Sequence, residues 1–213
     1  RGQDKEAKLQ LDLVNRALAL LREGKPARLL EVKDEEKRAF KGLQLLTSKP
    51  TLYVCNVDEG SAATGNSFSE TVKKRAEAEG AECVIISAKI EAELSQLEDE
   101  ERQEYLAELD LAEAGLDRLI RAGYSLLDLI TYFTAGPKET RAWTIQKNTK
   151  APQAAGVIHT DFEKGFIRAE TIAFDDYVTL KGEQGAKDAG KMRLEGKDYV
   201  VLDGDIMHFR FAN

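Results

Sequence analysis

The chain has 213 residues, 42% hydrophobic and 32% charged, the balance of a soluble globular protein with room for one or two cored domains. Its net charge of −7 argues against a general nucleic-acid coat, and it contains no apolar run of the about eighteen residues that a membrane span requires. The deficit is uneven: residues 128–213 hold 12 Lys/Arg against 13 Asp/Glu, leaving −6 for the first 127.

The opening Arg1-Gly-Gln-Asp-Lys-Glu6 is charged, lacks a signal-peptide core and lacks Met, so we expect a chain that begins inside a longer protein. Asp4 to Glu23 carries apolar residues at the spacing of an amphipathic helix, ended by Gly24-Lys-Pro26. Lys33 to Leu46 predicts a second helix, entered at Asp34 and able to form a hairpin with the first. Thr51 to Cys55 is a short apolar run between Pro50 and the polar Asn56-Val-Asp-Glu59-Gly60, the pattern of a buried parallel strand. Phe68 to Glu79 reads as a helix with Ser67 or Ser69 at its entry, and Glu82 to Ile86 as the next buried strand, ending in Ser87-Ala-Lys89. This is a βαβ unit, whose ligands belong at the carboxyl ends of the strands. Cys55 and Cys83 lie within these runs and read as small, reduced hydrophobes, which fits a cytoplasmic location. Glu91–Leu97 and Asp99–Leu109 predict charged surface helices, and Ala112–Ala122 another that ends at Gly123.

Beyond Tyr124 the pattern changes. Trp143-Thr-Ile-Gln146 alternates like a half-buried strand, after a turn at Gly136-Pro137. Thr149-Lys-Ala-Pro152 is a helix entry, with Thr149 or Lys150 near the cap and Pro152 in the first turn. Phe166–Ile172 is a further strand, Lys181–Gly196 an irregular or helical insertion, and Tyr199–Leu202 and Ile206–Phe211 the last strands. Strand, strand, helix, strand and short terminal strands make an α+β β-grasp, a ubiquitin-like fold.

Phe133-Thr-Ala-Gly136, Arg141-Ala-Trp-Thr144, Lys150-Ala-Pro-Gln-Ala-Ala-Gly156, His159-Thr-Asp-Phe-Glu-Lys-Gly-Phe166 and Asp203-Gly-Asp205 closely resemble the TGS domain of the YchF family, the Obg-like ATPases. The resemblance continues upstream over nearly the whole chain. It implies a helical arm remnant over residues 1–47, the distal half of a G-domain-like α/β unit over 48–127, and a TGS domain over 128–213. The family's P-loop, switches and magnesium ligands precede this region, so Mg2+ is expected only through them. No strand–GxxxxGK[ST]–helix occurs here, and Gly185-Ala-Lys-Asp-Ala-Gly-Lys191 places Met192 where a magnesium-binding hydroxyl is required. ATP hydrolysis is therefore expected of a full-length protein and not of this segment.

Taken alone, Asn56-Val-Asp-Glu59 and Ser87-Ala-Lys89 are either ordinary strand-end loops or the paired base-reading loops of GTPase-like proteins; the resemblance selects the second. GTPases read guanine with Asn-Lys-x-Asp, whose carboxylate accepts from N1–H and the exocyclic amine. Here Val57 replaces the Lys and Glu59 the Asp. Adenine N1 is itself an acceptor, so losing the guanine-reading Asp should favour ATP over GTP. Asn56 and the Val57 backbone are expected at the adenine amine edge, with Ser87, Ala88 and Lys89 closing the pocket.

Lys138, Arg141, Lys147, Lys150, Lys164 and Arg168 cluster in sequence, either as solvated strand edges or as a face for ribosomal RNA phosphates, without DNA specificity. Two ligands at His159-x-Asp161 do not make a metal site, and His159 reads as structural. Trp143 reads as core and His208 as a rim residue. The competing functional reading is a non-enzymatic RNA- or protein-binding module, with the α/β part as scaffold. An uncovered edge on the half-sheet offers a route to self-association.

Overall fold

The computed structural model describes residues 2–212; Arg1 and Asn213, the outer ends of the first and last expected segments, lie outside the described residues. Contacts divide the chain into two compact units that meet in sequence at Leu126 and Leu127. Among the described residues, no helix is long and apolar enough to cross a membrane.

The first unit opens with helix α1, Gly2–Arg22. It buries Leu13 and Ala17 but leaves Leu11, Val14, Leu18 and Leu21 exposed, at the alternating three- and four-residue spacing of a coiled-coil seam. The helix expected over 33–46 is shorter. A 3-10 turn, Asp34–Glu36, leads into α2, Lys37–Gly42, and the left-handed backbone of Gln44 (φ 50°) prevents its continuation. Glu36 anchors this entry, accepting from the Lys33 amide at 3.1 Å and pairing with Arg16 at 3.1 Å.

Strands β1, Leu52–Asn56, and β2, Glu82–Ile86, pair in parallel with Leu52 opposite Glu82. The connecting helix α3, Ser67–Ala78, opens at the expected Ser67, and its cap is the preceding Asn66. Asn66 accepts from the amides of Phe68 and Ser69, both at 3.0 Å, while the Ser69 hydroxyl accepts from the Asn66 amide at 2.8 Å. This reciprocal pairing satisfies donors that the helix start cannot pair internally.

Successive residues on β2 face opposite ways. A Cβ at Gly65, which has φ +78°, would come within 2.9 Å of Ile85 Cδ1, whereas one at Gly115 would meet Ile86 Cγ2 at 3.1 Å. Gly65 precedes α3, and Gly115 opens α6, Gly115–Leu126, so α3 and α6 take opposite faces of the pair. α6 starts later than the expected Ala112 and runs through Gly123. Glu91 fixes its start by accepting from the Gly115 and Leu116 amides at 2.8 and 3.2 Å. Between them lie α4, Ala88–Leu94, which begins before the expected Glu91, and α5, Asp99–Glu108. Ile90, Leu94, Leu106 and Leu111 pack these two helices together. Residues 91–113 carry ten acids against one arginine.

A cluster around the buried carboxylate of Glu79 ties the helical segment to the α/β part. Glu79 pairs with Arg28 and Arg75 and accepts from the Tyr53 hydroxyl at 3.0 Å. Burial works against ionisation of Glu79, but the bonds from Tyr53, Arg75 and Arg28 outweigh it and hold the carboxyl below its ordinary value.

The second unit is a five-stranded sheet in the order β4-β3-β7-β5-β6. Its strands are β3 (Leu129–Ala135), β4 (Thr140–Gln146), β5 (Phe166–Ile172), β6 (Arg193–Glu195) and β7 (Ile206–Phe211). β3 pairs in parallel with β7, and the remaining neighbours are antiparallel. Helices α7 (Ala151–Ile158) and α8 (Thr160–Lys164) follow β4. α7 is capped at Lys150, with Pro152 in its first turn. Its three alanines pack on Tyr132, Ile145, Phe166, Ala169, Met207 and Phe209, and Trp143 rests half-buried against this core. Helices α9 (Phe174–Thr179) and α10 (Glu183–Asp188) contribute Tyr177 and Ala186, and Leu180 just after α9 joins them, in a cluster with Phe133, Ile172 and Ile206 on the other face.

Tyr199–Leu202 does not form the expected strand. Val200 makes one isolated bridge to Lys150, and the Leu202 amide donates to Asp205 at 2.9 Å instead of to a neighbouring strand. Asp205 also accepts from the Tyr199 hydroxyl at 2.6 Å. These bonds bend the segment into a turn.

Candidate functional site

The two loops at the carboxyl ends of β1 and β2 meet. The Val57 amide donates to the Ile86 carbonyl at 2.9 Å, carrying the ladder one residue beyond β1. Asn56 Oδ1 accepts from the Ala88 amide at 2.9 Å. This bond fixes the amide's orientation and leaves Asn56 Nδ2 as a donor. Glu59 opens a 3-10 turn, Glu59–Ser61, and its Oε2 lies 2.6 Å from Lys89 Nζ. Glu59's hydrogen bond and charge raise the Lys89 pKa, so the ammonium persists at neutral pH. The pair is open to solvent, with side chains 66% and 41% exposed for Lys89 and Glu59. Beneath it Ser87 is 3% exposed, and its Oγ has no hydrogen-bond partner among the described residues. Asn56 at the end of β1, Val57 and Glu59 just beyond it, and Ser87 at the end of β2 therefore adjoin Ala88 and Lys89, which lie in the first turn of α4 and not in the expected loop. What they can offer is a donor amide, backbone groups, an unused hydroxyl and an ion pair.

Cys55 and Cys83 lie below these loops on the α3 side, with Sγ atoms 3.7 Å apart and both thiols free. Burial, followed by the bond from Cys55, pushes the Cys83 thiol up to about 11.

The six basic residues of the second unit do not share one surface. Lys138 lies in the β3–β4 turn and Arg141 near it, with its guanidinium 4.2 Å from the centre of the Trp143 ring. Lys147 lies beyond the opposite end of β4, and Lys150 pairs with Asp198 at 2.7 Å. Lys164 ends α8. Arg168 alternates with buried Ala169 and so faces away from α7, beside its register partner Arg210. Arg210 in turn pairs with Glu170 at 3.0 Å, and exposed His208 shares that face. Arg210 was not singled out from the sequence, although alternation with buried Phe209 would have marked it.

His159 caps α8, its Nδ1 accepting from the Asp161 amide at 3.2 Å. Among the described residues, no group of three or more His, Cys, Asp or Glu could hold a metal. Gly185–Lys191 falls on α10 and its end, with no strand leading into it.

The fold is the mixed α/β fold of a solved YchF structure. The structure of the Schizosaccharomyces pombe YchF GTPase superposes with a TM-score of 0.85 at 35% identity, covering 97% of this chain and 55% of that one. The family model YchF-GTPase_C, described as a protein of unknown function (DUF933), matches residues 129–212. The chain is 54% identical over 211 residues to the ribosome-binding ATPase YchF of Escherichia coli O157:H7, covering 99% of this chain and 58% of the relative. Obg-like ATPase 1 of Oryza sativa subsp. japonica is 41% identical over 213 residues, with 54% of its length covered. The chain is thus similar over nearly all of its own length to proteins of the YchF family and spans a little over half the length of these relatives.

Proposed function

We propose that this chain is the base-reading and C-terminal portion of a cytoplasmic, YchF-type protein that binds and hydrolyses ATP in preference to GTP and associates with the ribosome. In this reading 1–47 is an arm remnant, 48–127 the distal half of a G-domain-like unit, and 128–213 a β-grasp TGS domain. Phosphates and Mg2+ belong to P-loop and switch residues that the family resemblance places outside this sequence. The relatives' names divide between ATPase and GTPase, so the choice of base rests on loop chemistry.

The observation that carries the reading is the bond from the Ala88 amide to Asn56, which joins the two loops and commits Oδ1 to the protein. The Nδ2 donor left over suits purine N7, an acceptor in adenine and guanine alike. Asn56 thus grips a purine without choosing between them, a modification of its expected role at the amine edge. The Val57 carbonyl is left to accept from the adenine amine. Discrimination falls to the Glu59 position. Its carboxylate is engaged by Lys89, so guanine would have to displace an ion pair to find its acceptor.

The test is titration of ATP and GTP, with Mg2+, into the full-length protein that carries this sequence. ATP should bind at least about tenfold more tightly, a difference of about 1.4 kcal/mol. Equal affinities would remove the basis of the reading. For the ribosome, the face bearing Arg168, Arg210 and His208 is the better candidate than the six scattered residues, because it sets two arginines side by side, one of them shared with Glu170. Reversing Arg168 and Arg210 to Glu should weaken cosedimentation with ribosomes while leaving ATP binding unchanged. Loss of nucleotide dependence with ribosome binding intact would instead favour the passive binding module.

A further inference from the structure

We propose that Lys89 is a specificity-determining residue that supplies the hydrogen-bond donor for adenine N1, held in place by Glu59. The inference rests on the base-pocket reading above and adds a role for a residue which that reading leaves at the rim.

A guanine site presents an acceptor where the base offers N1–H; an adenine site needs a donor there, because adenine N1 is a bare lone pair. Replacing the guanine-reading carboxylate by an apolar group would merely stop selecting guanine. This chain retains a carboxylate, Glu59, and attaches an ammonium to it, with Lys89 Nζ 2.6 Å from Glu59 Oε2. An ammonium has three N–H donors, of which Glu59 takes one. The ion pair therefore turns an acceptor position into one that offers donors.

Two features make Lys89 suited to the role. The residue before it, Ala88, is fixed by the bond from its amide to Asn56, so the start of α4 is registered against the loop that would hold N7. The pair is also exposed, so a base can reach the free donors without first breaking a buried contact. Glu59 is consequently a positioning residue. It holds the ammonium and need not touch the base.

The experiment uses the full-length protein and three nucleotides: ATP, GTP and 1-deaza-ATP, in which N1 is replaced by C–H. Wild type should bind ATP about tenfold more tightly than 1-deaza-ATP, the size expected for one charge-assisted bond. Lys89→Met should lower ATP affinity to the 1-deaza-ATP level and leave 1-deaza-ATP binding unchanged. With its carboxylate released, the variant should also gain several-fold in GTP affinity. Loss of sensitivity to the N1 atom is not something a merely structural lysine would produce. Equal binding of ATP and 1-deaza-ATP by wild type overturns the role of Lys89, as does an unchanged ratio in Lys89→Met. Asn56→Ala separates the two levels: if it weakens ATP while Lys89→Met has no effect, the pocket stands and only this inference falls. If neither substitution affects ATP, both fall.

Discussion

Asn56 and Ala88 lie 32 positions apart in sequence and are joined by a 2.9 Å bond from the backbone amide of one to the side-chain carbonyl of the other. One half of the Asn56 amide is thus structural and the other half is free. Asn56→Asp separates the two. It keeps an acceptor for Ala88 and loses the donor, so chemical denaturation should move by less than about 0.5 kcal/mol, while purine affinity falls about tenfold. Asn56→Ala removes both and should also lose about 1 kcal/mol of stability. Parallel denaturation curves and nucleotide titrations on the two variants check this.

Glu79 offers a test of pH dependence. Its carboxyl is lowered from the ordinary 4.5 on folding, despite burial, by Tyr53, Arg75 and Arg28. A depressed folded-state pKa stabilises above the unfolded value and loses that contribution as pH falls through the folded one. Wild type should therefore exceed Glu79→Gln in stability at pH 7, and the gap should narrow as pH falls below the ordinary 4.5 and through the lower folded-state value. Urea midpoints for the two proteins between pH 3 and pH 7 give the answer, and a gap that does not narrow at all toward the acid end contradicts the assignment.

Cys83 should be a sluggish nucleophile. With its thiol pushed up to about 11, little thiolate exists at pH 8. Iodoacetamide labelling, followed site by site by mass spectrometry, should be slow at Cys83 at that pH and accelerate as the pH approaches 11. Fast labelling at pH 8 would contradict the burial that sets the shift.

Much of the fold was legible because punctuation and apolar runs coincide. Pro50 and the polar Asn56–Gly60 stretch bracket β1, and the strand ends located both loops of the candidate site. Caps were harder to read. Asn66 and Ser69 act as a reciprocal pair, whereas the sequence pattern marks only a serine at the helix entry. Tyr199–Leu202 has the composition of a strand, but the Asp205 carboxylate takes the Leu202 amide that a ladder would need. The basic residues cluster in sequence and disperse in space, because strand alternation and a hairpin turn distribute neighbours over different surfaces. The Glu59–Lys89 pair spans 30 positions, and strand pairing alone brings it together.

The ten acids of residues 91–113 have a consequence for how the first unit meets anything charged. Without that hairpin and its single arginine, the first 126 residues would carry 18 basic against 15 acidic side chains, so the sign of the unit would reverse. A polyanion approaching the unit would be repelled most strongly by this segment, and so would be favoured to approach from elsewhere. Dissolved salt weakens that repulsion as the Debye length shortens.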